Sequence, residues 1–122
     1  MVVIMATMLE RFGGESGVSG FIDALYGAMS VHPQLSKYMT GVNPEAFKLY
    51  MKQWWVHAMD PAQPYIGRDL HTVHTGLHIA DSELDVVKSI SEEIATRFGL
   101  AEDLVAFATG LMEGQRSNIT NL

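Results

Sequence analysis

The stretch Val18-Ser19-Gly20-Phe21-Ile22-Asp23-Ala24-Leu25-Tyr26-Gly27-Ala28-Met29 decides the fold class. Its large apolar and aromatic residues, Val18, Phe21, Ile22, Leu25, Tyr26 and Met29, fall at i, i+3, i+4, i+7, i+8 and i+11, the spacing that gathers them on one face of a helix. Gly13-Gly14 before the stripe can take backbone angles closed to other residues, and the turn around His32-Pro33 ends it.

The same period runs outward through the chain. A short helical turn is expected to about Thr40-Gly41. Asn43 then reads as a cap and Pro44 as the first residue of a helix whose stripe is Phe47, Tyr50, Met51, Trp54, Trp55 and Ala58. Asp60-Pro61-Ala62-Gln63-Pro64 stops it, and a loop through Tyr65, Gly67 and Arg68 leads into a short helix around Leu70 to Leu77. Asp81 or Ser82 is expected to cap a helix carrying Leu84, Val87, Ile90, Ile94 and Phe98, closed by Gly99. A last helix carries Leu104, Val105, Ala108, Leu111 and Met112. No segment alternates convincingly with period two, so the fold class is all-α.

Composition narrows the function. At 122 residues the chain is read as one domain, 1–122, too short for two, and 48% hydrophobic residues exclude a disordered chain. A net charge of −6 argues against nucleic acid and anionic lipid as partners. The absence of cysteine removes disulfides, thiolate metal sites and cysteine nucleophiles. The apolar start Met1 to Met8 is too short to span a bilayer and lacks the flanks of a targeting signal, so a cytoplasmic chain is expected. Residues 1–7 read as a short leading helix or a frayed extension. No Ser–His–Asp arrangement, phosphate loop or pair of buried carboxylates is visible.

Chemistry concentrates in His71-Thr72-Val73-His74-Thr75-Gly76-Leu77-His78. On a helix, Leu70, Val73 and Leu77 cluster and His74 borders them, whereas His71 and His78 lie farther round toward solvent. Three readings follow. His74 is a core-edge histidine satisfied by backbone or water; or His71, His74 and His78 converge on a divalent metal; or His74 presents one nitrogen to the iron of a haem slotted against the Phe47–Trp55 face. In the third case its other nitrogen needs a carbonyl, for which Leu70, one turn earlier, is the candidate. Tyr26 places a hydroxyl within an apolar stripe. That hydroxyl either reaches solvent or a backbone carbonyl or, with haem present, donates to a diatomic ligand on the iron.

These residues, taken in order, resemble the truncated haemoglobins, most closely their first group. The likeness lies in Met8-Leu9-Glu10-Arg11-Phe12-Gly13-Gly14, Leu25-Tyr26, Leu35 through Gly41, Pro64-Tyr65-Ile66-Gly67-Arg68 and Val73-His74-Thr75-Gly76-Leu77-His78-Ile79, and it covers nearly the whole chain. It implies a two-over-two helical sandwich around haem b, with His74 as the proximal iron ligand and Tyr26 in the distal pocket. By the same matching, Phe47 and Met51 occupy distal positions where relatives often carry histidine or glutamine, leaving Tyr26 as the main side-chain donor to bound ligand. Met39, preceded by Tyr38, stands where the family packs a phenylalanine flat on the haem. Tyr50 replaces a basic propionate partner, for which Lys48, Tyr65, Arg68 and His71 are the remaining candidates. Trp55, Leu70, Leu77 and Ile79 complete the expected lining, and Met39 or Met51 is a conceivable second iron ligand.

The function the resemblance implies is binding of dioxygen and other diatomic gases, nitric oxide and carbon monoxide among them, as in oxygen transport. The same site would serve a nitric oxide dioxygenase, which requires a reductase partner, or a peroxidase-like enzyme. A reading from another class is a cofactor-free helical interaction module whose Met and Trp residues are only core.

Overall fold

The computed structural model describes residues 7–122, and the expectation for residues 1–6 lies outside them. Thr7 itself caps the first helix, its Oγ1 accepting the Glu10 N–H at 3.0 Å. The helices are α1 (Met8–Arg11), α2 (Gly14–Val31), α3 (Ser36–Met39), α4 (Pro44–Met59), α5 (Leu70–His74), α6 (Asp81–Arg97) and α7 (Glu102–Glu113), followed by a 3-10 turn at Arg116–Asn118. Apart from one parallel bridge between Ile79 and Thr120, the described residues hold no extended pairing.

The α1–α2 corner depends on glycine. Gly13 and Gly14 take φ of 97° and 69°, and a Cβ on Gly17 would stand 2.0 Å from the Phe12 carbonyl oxygen. The stripe beyond the corner is buried as its period predicts: Val18, Phe21, Ile22 and Leu25 face inward. α2 packs against α4 and α6, and α6 against α7, giving two helix pairs laid one over the other. An aromatic chain runs through the junction. Phe12 meets Phe21 edge-on at 5.3 Å, Phe21 meets Trp55 at 5.5 Å, and Trp55 meets Trp54 at 5.3 Å. Around it close Val56, Ile94, Leu104 and Ala108, each large apolar side chain contributing roughly 1.5–3 kcal/mol when fully buried.

α4 begins as expected: Asn43 Oδ1 accepts the Ala46 N–H at 3.1 Å, and Pro44 opens the helix. Two boundaries differ from the sequence reading. α5 ends at His74 rather than near Leu77, because Thr75 leaves the helical angles at ψ 129° and Gly76 turns left-handed at φ 87°. α6 is capped at Ala80, not at Asp81 or Ser82. The Glu83 carboxylate reaches back to accept the Ala80 N–H at 2.8 Å, while the Asp81 carboxylate is committed elsewhere.

Asp81 is held by the C-terminal segment. Its oxygens accept from Thr120 Oγ1 at 2.9 Å, Asn121 Nδ2 at 3.2 Å and Arg116 Nη1 at 3.3 Å. Arg116 also donates to Asp85 and Glu113. Backbone bonds from His78 N–H to Leu122 and from Asn121 N–H to Ile79 complete a strap across the connection between α5 and α6. No helix among the described residues is long and apolar enough to cross a membrane.

Candidate functional site

A cavity of about 530 Å³ opens beside the aromatic chain, a size within the range of small-molecule and cofactor pockets. α4 supplies one wall through Phe47, Tyr50, Met51, Trp54 and Trp55. The loop after it and α5 supply the opposite wall through Tyr65, Ile66, Arg68, Leu70, Val73 and His74. Tyr38 and Met39 of α3 close one side, and Leu84 and Val87 of α6 with Met112 of α7 form the inner end. Gln115 and Ile119, from the segment that straps α5 to α6, also line it.

Four of the exposed large apolar or aromatic residues, Tyr50 (47% exposed), Ile66 (76%), Val73 (41%) and Leu77 (42%), line this one cavity. Apolar surface gathered in a concave slot marks a place for an apolar ligand rather than solvated surface. His74 stands on the wall of the slot. Its Nδ1–H donates to the Leu70 carbonyl at 2.7 Å, which fixes the neutral tautomer and leaves Nε2 as a free lone pair. Burial lowers the pKa of His74 below the ordinary histidine value, and the Leu70 hydrogen bond opposes that shift only in part. A neutral imidazole with one nitrogen already held is the form in which histidine ligates a metal.

Of the residues singled out in the sequence, Met39, Phe47, Met51, Trp55, Tyr65, Arg68, Leu70, His74, Leu77 and Ile79 line the cavity. Three do not. Lys48 is turned to Asp23 at 3.3 Å, with its ammonium 5.1 Å from the centre of the Tyr26 ring, so its charge is engaged away from the slot. His71 is exposed on α5, and His78 lies beyond the helix at φ 54°, which removes the helical spacing on which the three-histidine metal reading rests. No group of three His, Asp or Glu side chains suited to a metal ion forms among the described residues. Tyr26 is half-buried one layer behind the lining: its ring packs on Phe47 at 5.6 Å, and Phe47 faces the cavity.

Both candidates for the flat haem contact are present, since Tyr38 and Met39 each line the slot. The Tyr38 hydroxyl donates to Glu83 Oε1 at 2.5 Å, and Lys37 Nζ sits 3.1 Å from Glu83 Oε2. Glu83, only 7% exposed, is a site-adjacent residue that the sequence reading passes over, because an acid in the first turn of a helix reads as a solvated charge. Tyr65 donates its hydroxyl to the Arg68 carbonyl at 2.6 Å, and burial raises its pKa. Arg68 is the one Lys or Arg among the lining residues.

No family model matches the chain. It is 24% identical over 105 residues to the group 1 truncated hemoglobin GlbN of Mycolicibacterium paratuberculosis, across 86% of this chain and 77% of that protein. It superposes on the truncated hemoglobin of Tetrahymena pyriformis in the Fe(III) form with a TM-score of 0.88 at 13% identity, over 94% of this chain and 98% of that one. It matches the 2/2 hemoglobin of Synechococcus sp. PCC 7002, in a cyanomet state with covalently attached heme, with a TM-score of 0.88 at 15% identity, over 96% and 100% of the two chains. The two helix pairs thus stand in a known architecture, and this chain has the two-over-two fold of the truncated haemoglobins.

Proposed function

We propose that this chain binds haem b, that His74 Nε2 would hold its iron, and that dioxygen and other diatomic gases would bind at that iron. The observation that carries the reading is His74 itself: a neutral imidazole, tethered through Nδ1 and free at Nε2, on the wall of an apolar slot. The exposed apolar residues around the slot support it, since a flat hydrophobic group would cover Tyr50, Ile66, Val73 and Leu77. Arg68 is the cation suited to meet the propionates, with the Tyr65 hydroxyl fixing the backbone at that residue.

The haem supplies an iron that binds diatomic ligands reversibly. The protein's part is to hold one coordination position, keep water out and offer a donor to the ligand. His74 holds the position, with its ring orientation fixed by Leu70. Phe47, Met51 and Trp54 make the opposing wall apolar and so disfavour water there. Tyr26, whose ring packs on Phe47 and whose hydroxyl has no hydrogen-bond partner among the described residues, is assigned the donor role.

Absorbance of the purified protein, with and without added haemin, tests the reading directly. A Soret band is expected that His74→Ala abolishes or shifts and His71→Ala leaves in place. A colourless protein that takes up no haemin, or equal losses in both variants, would refute it.

A further inference from the structure

We infer that Tyr38 is a redox-active residue, giving one electron to a haem oxidised by hydrogen peroxide while its phenolic proton passes to Glu83. The inference rests on the haem reading above. Tyr50, Tyr65, Trp54 and Trp55 line the same cavity and are also oxidisable, so the choice of Tyr38 turns on the proton. A phenol that loses an electron becomes a strong acid, and its oxidation is easy only where a base takes the proton in the same event. Tyr65 donates to a backbone carbonyl, which is no base at ordinary pH. Tyr50 and the two indoles donate to no carboxylate among the described residues. Tyr38 donates to one, at 2.5 Å.

Glu83 is built to receive that proton. It is the buried carboxylate of the described chain, and it is fixed from three directions by the Tyr38 hydroxyl, the Ala80 N–H at 2.8 Å and the Lys37 ammonium at 3.1 Å. The Tyr38 hydrogen bond first, and then the Ala80 N–H, hold its pKa below the usual carboxylate range, so it is ionised and available as a base at neutral pH. The step balances. As its O–O bond breaks, hydrogen peroxide takes up two electrons, one from the iron and one from Tyr38, and two protons from solvent, which is the balance of its conversion to two water molecules. The Tyr38 O–H bond breaks and an O–H bond forms on Glu83 Oε1. Phenol plus carboxylate becomes a neutral phenoxyl radical plus a carboxylic acid. Because α3 lies at the surface, with Lys37 exposed beside Tyr38, a one-electron reductant in solution can return the radical to phenol.

Electron paramagnetic resonance on haemin-loaded protein, mixed with hydrogen peroxide and frozen, tests the assignment. A phenoxyl signal is expected, formed more slowly in deuterium oxide, lost or replaced by a different line shape in Tyr38→Phe, and slower to form in Glu83→Gln. Soret and far-ultraviolet circular dichroism spectra check that each variant keeps haem and fold. Tyr38→Phe leaves the Ala80 and Lys37 contacts of Glu83 in place, so the test stands even if Glu83→Gln unfolds. An unchanged signal in Tyr38→Phe, or an unchanged rate in a folded Glu83→Gln, overturns the inference. A second arm oxidises the protein as purified with photogenerated ruthenium(III) tris-bipyridine. A protein that binds no haemin yet forms its radical at Tyr38 there refutes the haem reading and the peroxide step, and sustains proton transfer to Glu83. A normal Soret band with the radical elsewhere refutes the Tyr38 assignment alone.

Discussion

His74 is pulled in two directions, by burial toward the neutral form and by the Leu70 carbonyl toward the charged one, and burial prevails. The consequence for stability has a definite sign. An unfolded histidine takes up a proton as pH falls through about 6.5, while folded His74 resists it, so protons favour the unfolded state below that value and stability declines with acidity until the lower folded pKa is passed. Proton NMR of the haem-free chain should show the His74 ring titrating below the ordinary histidine value; a midpoint at or above that value would contradict the burial argument. With haem bound, Tyr26→Phe should speed oxygen dissociation by roughly tenfold, the worth of one hydrogen bond of about 1.4 kcal/mol, in flash photolysis or stopped flow. An unchanged rate would mean that Phe47 keeps the hydroxyl from the ligand. The Leu70 partner was legible in the sequence because a ring nitrogen on a helix reaches the carbonyl four residues back. The engagement of Lys48 by Asp23 was not, because it depends on how α4 is rotated against α2.

The elements themselves were written into the sequence wherever a periodic stripe met a stop signal, as in α2 between Gly13 and His32 and in α4 between Asn43 and Asp60. The boundaries that differ lie where the backbone turns or a side chain caps it unexpectedly. Thr75 and Gly76 leave the helical angles and end α5 at His74, and Glu83 rather than Asp81 or Ser82 closes the start of α6. Two element-level predictions follow from the close contacts. Gly17→Ala would drive a methyl group into the Phe12 carbonyl at the α1–α2 corner and should cost about 2 kcal/mol or more, read from urea denaturation. In the five-residue α5, Asp69 accepts both the Thr72 N–H at 3.1 Å and the Thr72 hydroxyl at 2.5 Å. Asp69→Ala should therefore hasten haem loss to an apoglobin acceptor, and Asp69→Asn, which still caps, should do so less.

Across the whole molecule the charge network of the C-terminal strap governs behaviour in acid. Hydrogen bonds from Arg116 and then Lys88 depress the pKa of Glu113 from 4.5 to about 2. A carboxylate lowered in this way adds stability above its unfolded pKa, and that stability is lost as pH falls from 4.5 toward 2. The urea midpoint should drop over that interval, and the drop should shrink in Arg116→Ala and at high salt. None of this strap was legible in advance: Thr120 and Asp81 are 39 residues apart, and no local period announces their meeting. Its presence also bears on how the pigment would be acquired. The slot draws its walls from Met29 through Ile119, so a nascent polypeptide has no finished receptacle until Ile119 has left the ribosome's exit tunnel. Metalloporphyrin capture would then wait for that segment to emerge, and the appearance of colour in a cell-free translation should lag behind synthesis of the residues around Ile119.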